Sequence, residues 1–199
     1  MMRNIPISRV TTQPTFEPVT VEQVKANAYI VSDTSYDDLI SSQFIPAARR
    51  YVEQITERSL VTQTRKQYHD CLSPEITVRY GPLQSVTSVT YKDSAGDTQT
   101  LTSSLYTVDT ASIPGRIVEA YNRSYPSSIT DTNSVVITAI CGYGSTIASV
   151  PIIYRRAIIL LCTHWHLNRD TVACGEVSSD MATTLQNMLA IEGATVTYA

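Results

Sequence analysis

Three side chains in the C-terminal third are the residues best suited to metal or thiol chemistry. Cys162 and His166 are spaced i, i+4, so a helix would place them on one face, and Cys174 follows downstream. Zinc is bound by thiolate and imidazole groups that converge tetrahedrally, so a zinc- or thiol-dependent enzyme is one hypothesis. However, no CxxC pair reinforces the three residues, and His164 lies on the opposite arc of the helix. We therefore predict no metal and no cofactor, but a buried thiol beside an interfacial histidine.

Signals for other chemistry are weak. The sequence contains no P-loop, GxGxxG, HExxH or GxSxG motif. His69 is adjacent to Asp70 and close to Cys71, but it lies in a polar stretch that predicts an exposed histidine. We therefore predict no catalytic residues, and the chain is not expected to be an enzyme.

Composition narrows the function classes. The 199 residues fit one domain, or one domain with an insertion, and the charged fraction of 17% is below the usual ~25%. Few charges together with twelve tyrosines are typical of a chain that buries much of its surface against partners. The net charge of −3 disfavours a monomeric nucleic-acid-binding module. The sequence shows no signal peptide, transmembrane segment or paired cysteines, so we expect an intracellular protein with reduced thiols.

The most apolar helix of the chain is predicted from Pro151 to Asn168. One broad arc of it is apolar and includes Leu161 and Trp165, which we predict to be core residues. The opposite arc mixes polar and apolar side chains, so it should contact either a second layer of the same fold or a neighbouring subunit. We assign a subunit or partner contact to the following residues of that arc: Ile152, Arg155, Arg156 and Ile159. A solvated helix flank is the alternative for the two arginines.

Two further helices precede this one. Thr20 and Gln23 have capping-box spacing, which predicts a short helix to about Ala28. Helical spacing then resumes from Tyr36 to Arg58, with Pro46 expected to kink the helix. The charged residues of this helix predict a solvated face, or alternatively an inter-subunit contact: Arg49, Arg50, Glu53, Glu57 and Arg58.

The middle of the chain alternates with strand period and contains several turn signals. The fold class is therefore α+β: a bundle of about four helices with an antiparallel sheet inserted between the second and third long helices. The predicted divisions are a flexible arm (1–18), helical core (19–60), inserted β-rich region (61–149), helical core (150–192) and tail (193–199). The arm is expected either to be poorly ordered or to order on a neighbour.

The C-terminal tail has strand composition without a strand partner nearby in sequence. Its residues Thr195, Val196 and Tyr198 either fray or add a strand to the sheet of another chain. We include them among the candidate contacts with a subunit or a partner protein.

Five segments, in order, resemble those of the head–tail connector family of tailed phages, the adaptor or head-completion proteins. No segment is diagnostic alone. The segments are Thr20–Lys25, Ala47–Leu60, Gly81–Val89, Pro114–Val118 and Gly142–Arg169.

This resemblance implies a structural virion protein of the phage neck rather than an enzyme. It further implies a homo-oligomeric ring of about twelve copies that docks on the portal protein and receives a stopper or tail component. Genomic DNA would pass through the ring's channel without sequence-specific binding, and no membrane is involved. The expected location is the head–tail interface of the virion, after assembly in the host cytoplasm. The resemblance assigns no binding residues.

Overall fold

The computed structural model describes residues 6–168 and 177–191. The chain combines helices with antiparallel sheets, so the α+β class is confirmed, and its contacts divide it into two compact units. The helical unit contains residues 15–61, 143–168 and 177–191, and the sheet unit contains residues 6–14 and 62–142. In the described residues no helix has the length and apolar character needed to cross a membrane.

The first helix of the helical unit is α1 (Val21–Ala28). Both hydrogen bonds of the predicted capping box are present: the Gln23 N–H donates to Thr20 Oγ1, and the Thr20 N–H donates to Gln23 Oε1 at 3.1 Å. Two N–H groups that have no partner inside a helix are thereby satisfied. Tyr29 ends the helix in the left-handed conformation.

The second helical stretch is irregular. A single turn, α2 (Asp37–Leu39), continues through a π-helical turn (Ile40–Phe44) into α3 (Ile45–Thr56). Pro46 has no N–H to donate to the preceding turn, and the wider π-helical turn, in which Ile45 donates to Ile40, comes just before it. The helix therefore persists through Pro46, as predicted.

The remaining helices are α4 (Ile152–Leu167) and α5 (Ser179–Ala190). Pro151 is the residue that precedes α4 rather than a residue of its first turn. The Ser178 hydroxyl caps α5 by accepting from the Met181 N–H. Fully buried side chains of this unit come from α1, the π-helical turn, α3, α4 and α5, and they include Val24, Ile40, Val52, Ile158, Leu161, Leu185 and Leu189. Leu161 and Trp165 lie in this core, as predicted.

The sheet unit contains eight strands in two antiparallel sheets rather than one. The five-stranded sheet has the order β1-β2-β8-β4-β5, and the three-stranded sheet has the order β3-β7-β6. The strands are β1 (Ile7–Thr12), β2 (Gln63–His69), β3 (Glu75–Val78), β4 (Leu83–Lys92), β5 (Thr98–Thr100), β6 (Tyr106–Asp109), β7 (Gly115–Glu119) and β8 (Val135–Cys141).

One apolar core joins the two sheets. Ile76, Val78 and Ile117 of the three-stranded sheet belong to the same buried cluster as Val89 and Ile137 of the five-stranded sheet. The two sheets approach closely at Gly115, where an added Cβ atom would lie 2.5 Å from Cβ of Leu83. Glycine is therefore required at this position, because a larger residue would clash with Leu83.

The N-terminal segment differs from the predicted flexible arm. Residues Ile7–Thr12 form strand β1, which pairs antiparallel with β2 of the same chain. The sheet therefore includes residues outside the predicted insertion of 61–149. Sequence periodicity could not reveal this pairing, because β1 has no regular apolar alternation.

Strand β2 also differs from the prediction, which gave it extensive polar exposure. Gln63, Arg65 and Gln67 are buried on its inner face. The Arg65 guanidinium lies 3.8 Å from the centre of the Tyr80 ring and donates to Ser8 Oγ. Arg65 and Gln67 can be buried because protein contacts replace the water that they lose: Gln67 donates to the Thr77 carbonyl and accepts from the Arg79 N–H.

Candidate subunit interface

The outer surface of α4 carries the candidate contact residues predicted from the sequence. Ile152 is 68% exposed and Arg156 is exposed, whereas Arg155 and Ile159 are half-buried. The Arg155 Nε donates to the Val150 carbonyl at 3.1 Å, and Ile159 packs against the core of the helical unit. Ile152 and Arg156 are therefore exposed on α4, whereas Arg155 and Ile159 are engaged mainly within the fold.

The rest of the mixed arc of α4 is covered by the chain itself. Thr163 Oγ1 accepts from Asn27 Nδ2 at 2.9 Å, and the same Asn27 accepts from Arg156 at 2.7 Å. His166 is buried and meets the Tyr36 ring edge-on, with ring centres 5.1 Å apart. For these positions the second surface is another layer of the same fold, and the predicted interfacial histidine is an internal one.

The hypothetical thiol or zinc site receives little support from this geometry. Cys162 is fully buried, and burial raises the pKa of its thiol to about 12, so very little thiolate exists near neutral pH. Cys174 lies outside the described residues, and those that are described contain no cluster of three metal-ligating side chains.

The other candidate for thiol chemistry, around His69, is not assembled as a reactive pair. His69 is half-buried and burial lowers its pKa, although the charge of Asp70 opposes that shift. Its Nε2 lies 2.6 Å from the amide nitrogen of Gln67, and the Cys71 thiol faces Ser73. The predicted exposed histidine is therefore a partly buried member of a polar network.

The charged face predicted for α3 is in part internal, which corrects the sequence analysis. Arg49 and Glu53 are 4% and 5% exposed. The Arg49 guanidinium donates to both carboxylate oxygens of Glu17 and to Glu53, and Glu53 Oε1 accepts from the Leu60 N–H at 2.8 Å. Burial disfavours the charged guanidinium, but hydrogen bonds and attraction from the two carboxylates outweigh it and raise the pKa of Arg49. We call these three side chains the Glu17–Arg49–Glu53 network.

Other exposed apolar side chains of the helical unit were not singled out by sequence periodicity. Tyr29 and Val31, in the loop after α1, are 94% and 70% exposed. Leu167 and Ile191 are exposed at the ends of α4 and α5. The predicted tail contacts Thr195, Val196 and Tyr198 lie outside the described residues.

Comparison with solved structures identifies the fold. One similar chain belongs to the virion of a native gene transfer agent (GTA) particle, with a TM-score of 0.72, 16% identity and 97% coverage of both chains. The chain has the fold of these particle proteins. Two other similar chains come from the neck of an empty GTA particle computed with C6 symmetry and the neck of a native GTA particle computed with C12 symmetry. Their TM-scores are 0.67 and 0.66, at 16% and 18% identity, and each match again covers 97% of both chains.

At the level of the fold, these neighbours agree with the head–tail connector resemblance inferred from the sequence. No protein-family model and no curated protein matches the chain.

Proposed function

We propose that this protein is a structural component of the neck of a phage-like virion. It forms a ring, of twelve copies in our proposal, that connects the DNA-filled head to the tail or stopper. The observation that carries the proposal is the match of the fold, over 97% of both chains, to chains from GTA necks computed with C6 and C12 symmetry.

A ring needs two different contact patches on each subunit, because every subunit meets one neighbour on each side. The exposed part of α4, Ile152 with Arg156, supports one such patch. An exposed isoleucine beside a cation suits an interface in which an apolar contact is bordered by polar ones. Arg156 is held in place by Asn27, so it would lose little side-chain freedom when a neighbour binds.

The experiment that tests this proposal is a mass measurement of the purified protein, alone and with its portal protein. We expect a ring, either in both samples or only when the portal is present. Ile152→Asp should weaken ring formation, whereas Ile191→Asp, at an equally exposed isoleucine on α5, is the matched control. A wild-type chain that stays monomeric under both conditions would refute the proposal.

A more specific part of the proposal concerns the residues that contact the portal protein. We propose that residues 194–198 of the tail add a strand to the portal, with Thr195, Val196 and Tyr198 in the contact. Deletion of these residues should leave the fold intact and abolish portal binding in a pull-down experiment. Unchanged binding would exclude this role. In this model DNA passes through the ring without sequence-specific contacts.

The rival hypothesis remains the zinc- or thiol-dependent enzyme with Cys162, His166 and Cys174. Metal analysis of the purified protein and of its Cys162→Ala variant separates the two functions. Stoichiometric zinc that is lost in the variant would favour the enzyme.

A further inference from the structure

One edge of the five-stranded sheet carries two opposed positive charges. Arg9 of β1 lies directly opposite Lys66 of β2 in the antiparallel register, so both side chains are on the same face of the sheet. Like charges in this position destabilise a strand pair. Neither side chain forms an ion pair within the part of the chain that is described. An acidic group from outside would relieve the repulsion.

The same edge contains a small pocket. The next pair on the same face, Ile7 opposite Tyr68, lines this pocket together with Arg9 and Asn133. Ile7 is half-exposed at 50%. Strand β1 is an edge strand, so its outward side is not covered by another strand in the described residues. We call Ile7, Arg9, Lys66, Tyr68 and Asn133 the basic edge.

The opposite edge of the same sheet is acidic. Strand β5 is the other edge strand, and its three residues are exposed. The loop that joins β4 to β5 contains two acidic residues and no basic residue. Asp93 stabilises the loop itself by accepting from the Ala95 and Asp97 N–H groups. The Asp97 carboxylate is exposed, and in the described residues it makes no hydrogen bond or ion pair. We call residues 93–97 the acidic hairpin loop.

We propose that the acidic hairpin loop of one copy of this chain docks on the basic edge of the next copy, with Asp97 facing Arg9 and Lys66. The occupant is argued from charge complementarity: the exposed Asp97 carboxylate meets two cations, and none of the three groups has an ion-pair partner within the described residues. The two patches lie at opposite edges of one sheet, so the contact is heterologous and repeats from copy to copy, as a ring requires. The inference rests on the proposed function and supplies it with a pair of unlike patches.

The contact is expected to act mainly through charge at an exposed edge. Exposed ion pairs are weak and screened, since the Debye length is about 8 Å at physiological ionic strength. Reversal of one charge removes an attraction and adds a repulsion, so we expect roughly a tenfold rise in the dissociation constant between subunits. The effect should shrink as the salt concentration is raised.

A charge-swap experiment tests this proposal. Arg9→Glu and Asp97→Arg are made separately and together, and ring formation is followed by sedimentation and native mass spectrometry, with portal protein if the wild type needs it. Each single variant should assemble about tenfold more weakly than the wild type. The double variant should recover most of the loss, because the swapped charges attract again. Asp97 lies in an exposed loop, so Asp97→Arg keeps the test valid if a change in strand β1 impairs folding.

Arg123→Glu is the matched control, because it reverses an exposed arginine of the same unit outside the basic edge. If the wild type forms rings and both single variants assemble as Arg123→Glu does, the inference is refuted while the ring proposal stands. If the Arg9→Glu variant forms normal rings but no longer binds the portal, the basic edge contacts another protein. This result would also refute the inference. A wild type that never forms rings removes the proposed function and the inference together.

Discussion

Replacing Arg49 tests whether the Glu17–Arg49–Glu53 network belongs to the interior. Arg49→Met keeps most of the aliphatic volume but removes the guanidinium that pairs with both Glu17 and Glu53. Removing one partner of a buried ion pair costs about 3–5 kcal/mol. The Glu17 side chain is 27% exposed and can regain water, whereas that of Glu53 is 6% exposed and cannot. We therefore expect the lower value, about 3 kcal/mol in the free energy of unfolding.

The control is the neighbouring arginine of the same helix. Arg50 is exposed, so Arg50→Met should change the free energy of unfolding by less than about 0.5 kcal/mol. Urea unfolding followed by circular dichroism measures both variants, and a loss of about 3 kcal/mol corresponds to roughly 6–12 °C in Tm. The double variant Arg49→Met, Glu53→Gln should be more stable than Arg49→Met alone. The neutral amide that Glu53→Gln introduces has an oxygen that can still accept from the Leu60 N–H.

Two results would refute this reasoning. If Arg49→Met costs no more than Arg50→Met, the network is a solvated surface cluster, as the sequence suggested. If the double variant is less stable than Arg49→Met, the stability lost in Arg49→Met comes from packing or from the missing hydrogen bonds. It does not come from the buried negative charge of Glu53.

Two further predictions follow from close packing and from burial. Gly115→Ala should destabilise the sheet unit by about 1–3 kcal/mol, because the new methyl group meets the Cβ atom of Leu83; a urea midpoint equal to that of the wild type would contradict this. In a Cys174→Ser background, exposed Cys71 should react quickly with a thiol reagent at pH 8, whereas Cys162 should stay unmodified until the protein unfolds, because burial raises its pKa. Equal labelling rates for Cys71 and Cys162 by mass spectrometry would show that α4 opens freely.

Local signals in the sequence predicted the individual elements well. The Thr20–Gln23 spacing located α1, and the strand-period alternation in the middle of the chain indicated a β-rich region, because capping and side-chain period are properties of a few neighbouring residues. Element type and approximate bounds were therefore accessible from the sequence.

Long-range pairing was not accessible in the same way. Strand β1 is defined by its register with β2, which lies more than fifty residues away in sequence. The segment itself has no regular apolar alternation that would predict a strand. The burial of Arg49 depends on Glu17, which lies far along the chain in a segment without periodicity. The apolar side of α4 was predicted from its side chains, but only the contacts of Thr163 with Asn27 and of His166 with Tyr36 show which part of the mixed arc is covered.

The basic edge is important for the proposed partner binding because the surface carries few charged residues. The chain has few charged residues, 17%, and some of them are buried: Lys25, Arg49, Glu53 and Arg65. The charges that remain outside are sparse, so each one contributes a larger share of the field that orients a partner. A single apolar side chain such as Ile152 is common on any surface and cannot select a neighbour by itself. We propose that selection between copies comes from charges without an ion-pair partner within the described residues. Exposed Arg9 and Asp97 and half-buried Lys66 are charges of this kind at opposite edges of one sheet.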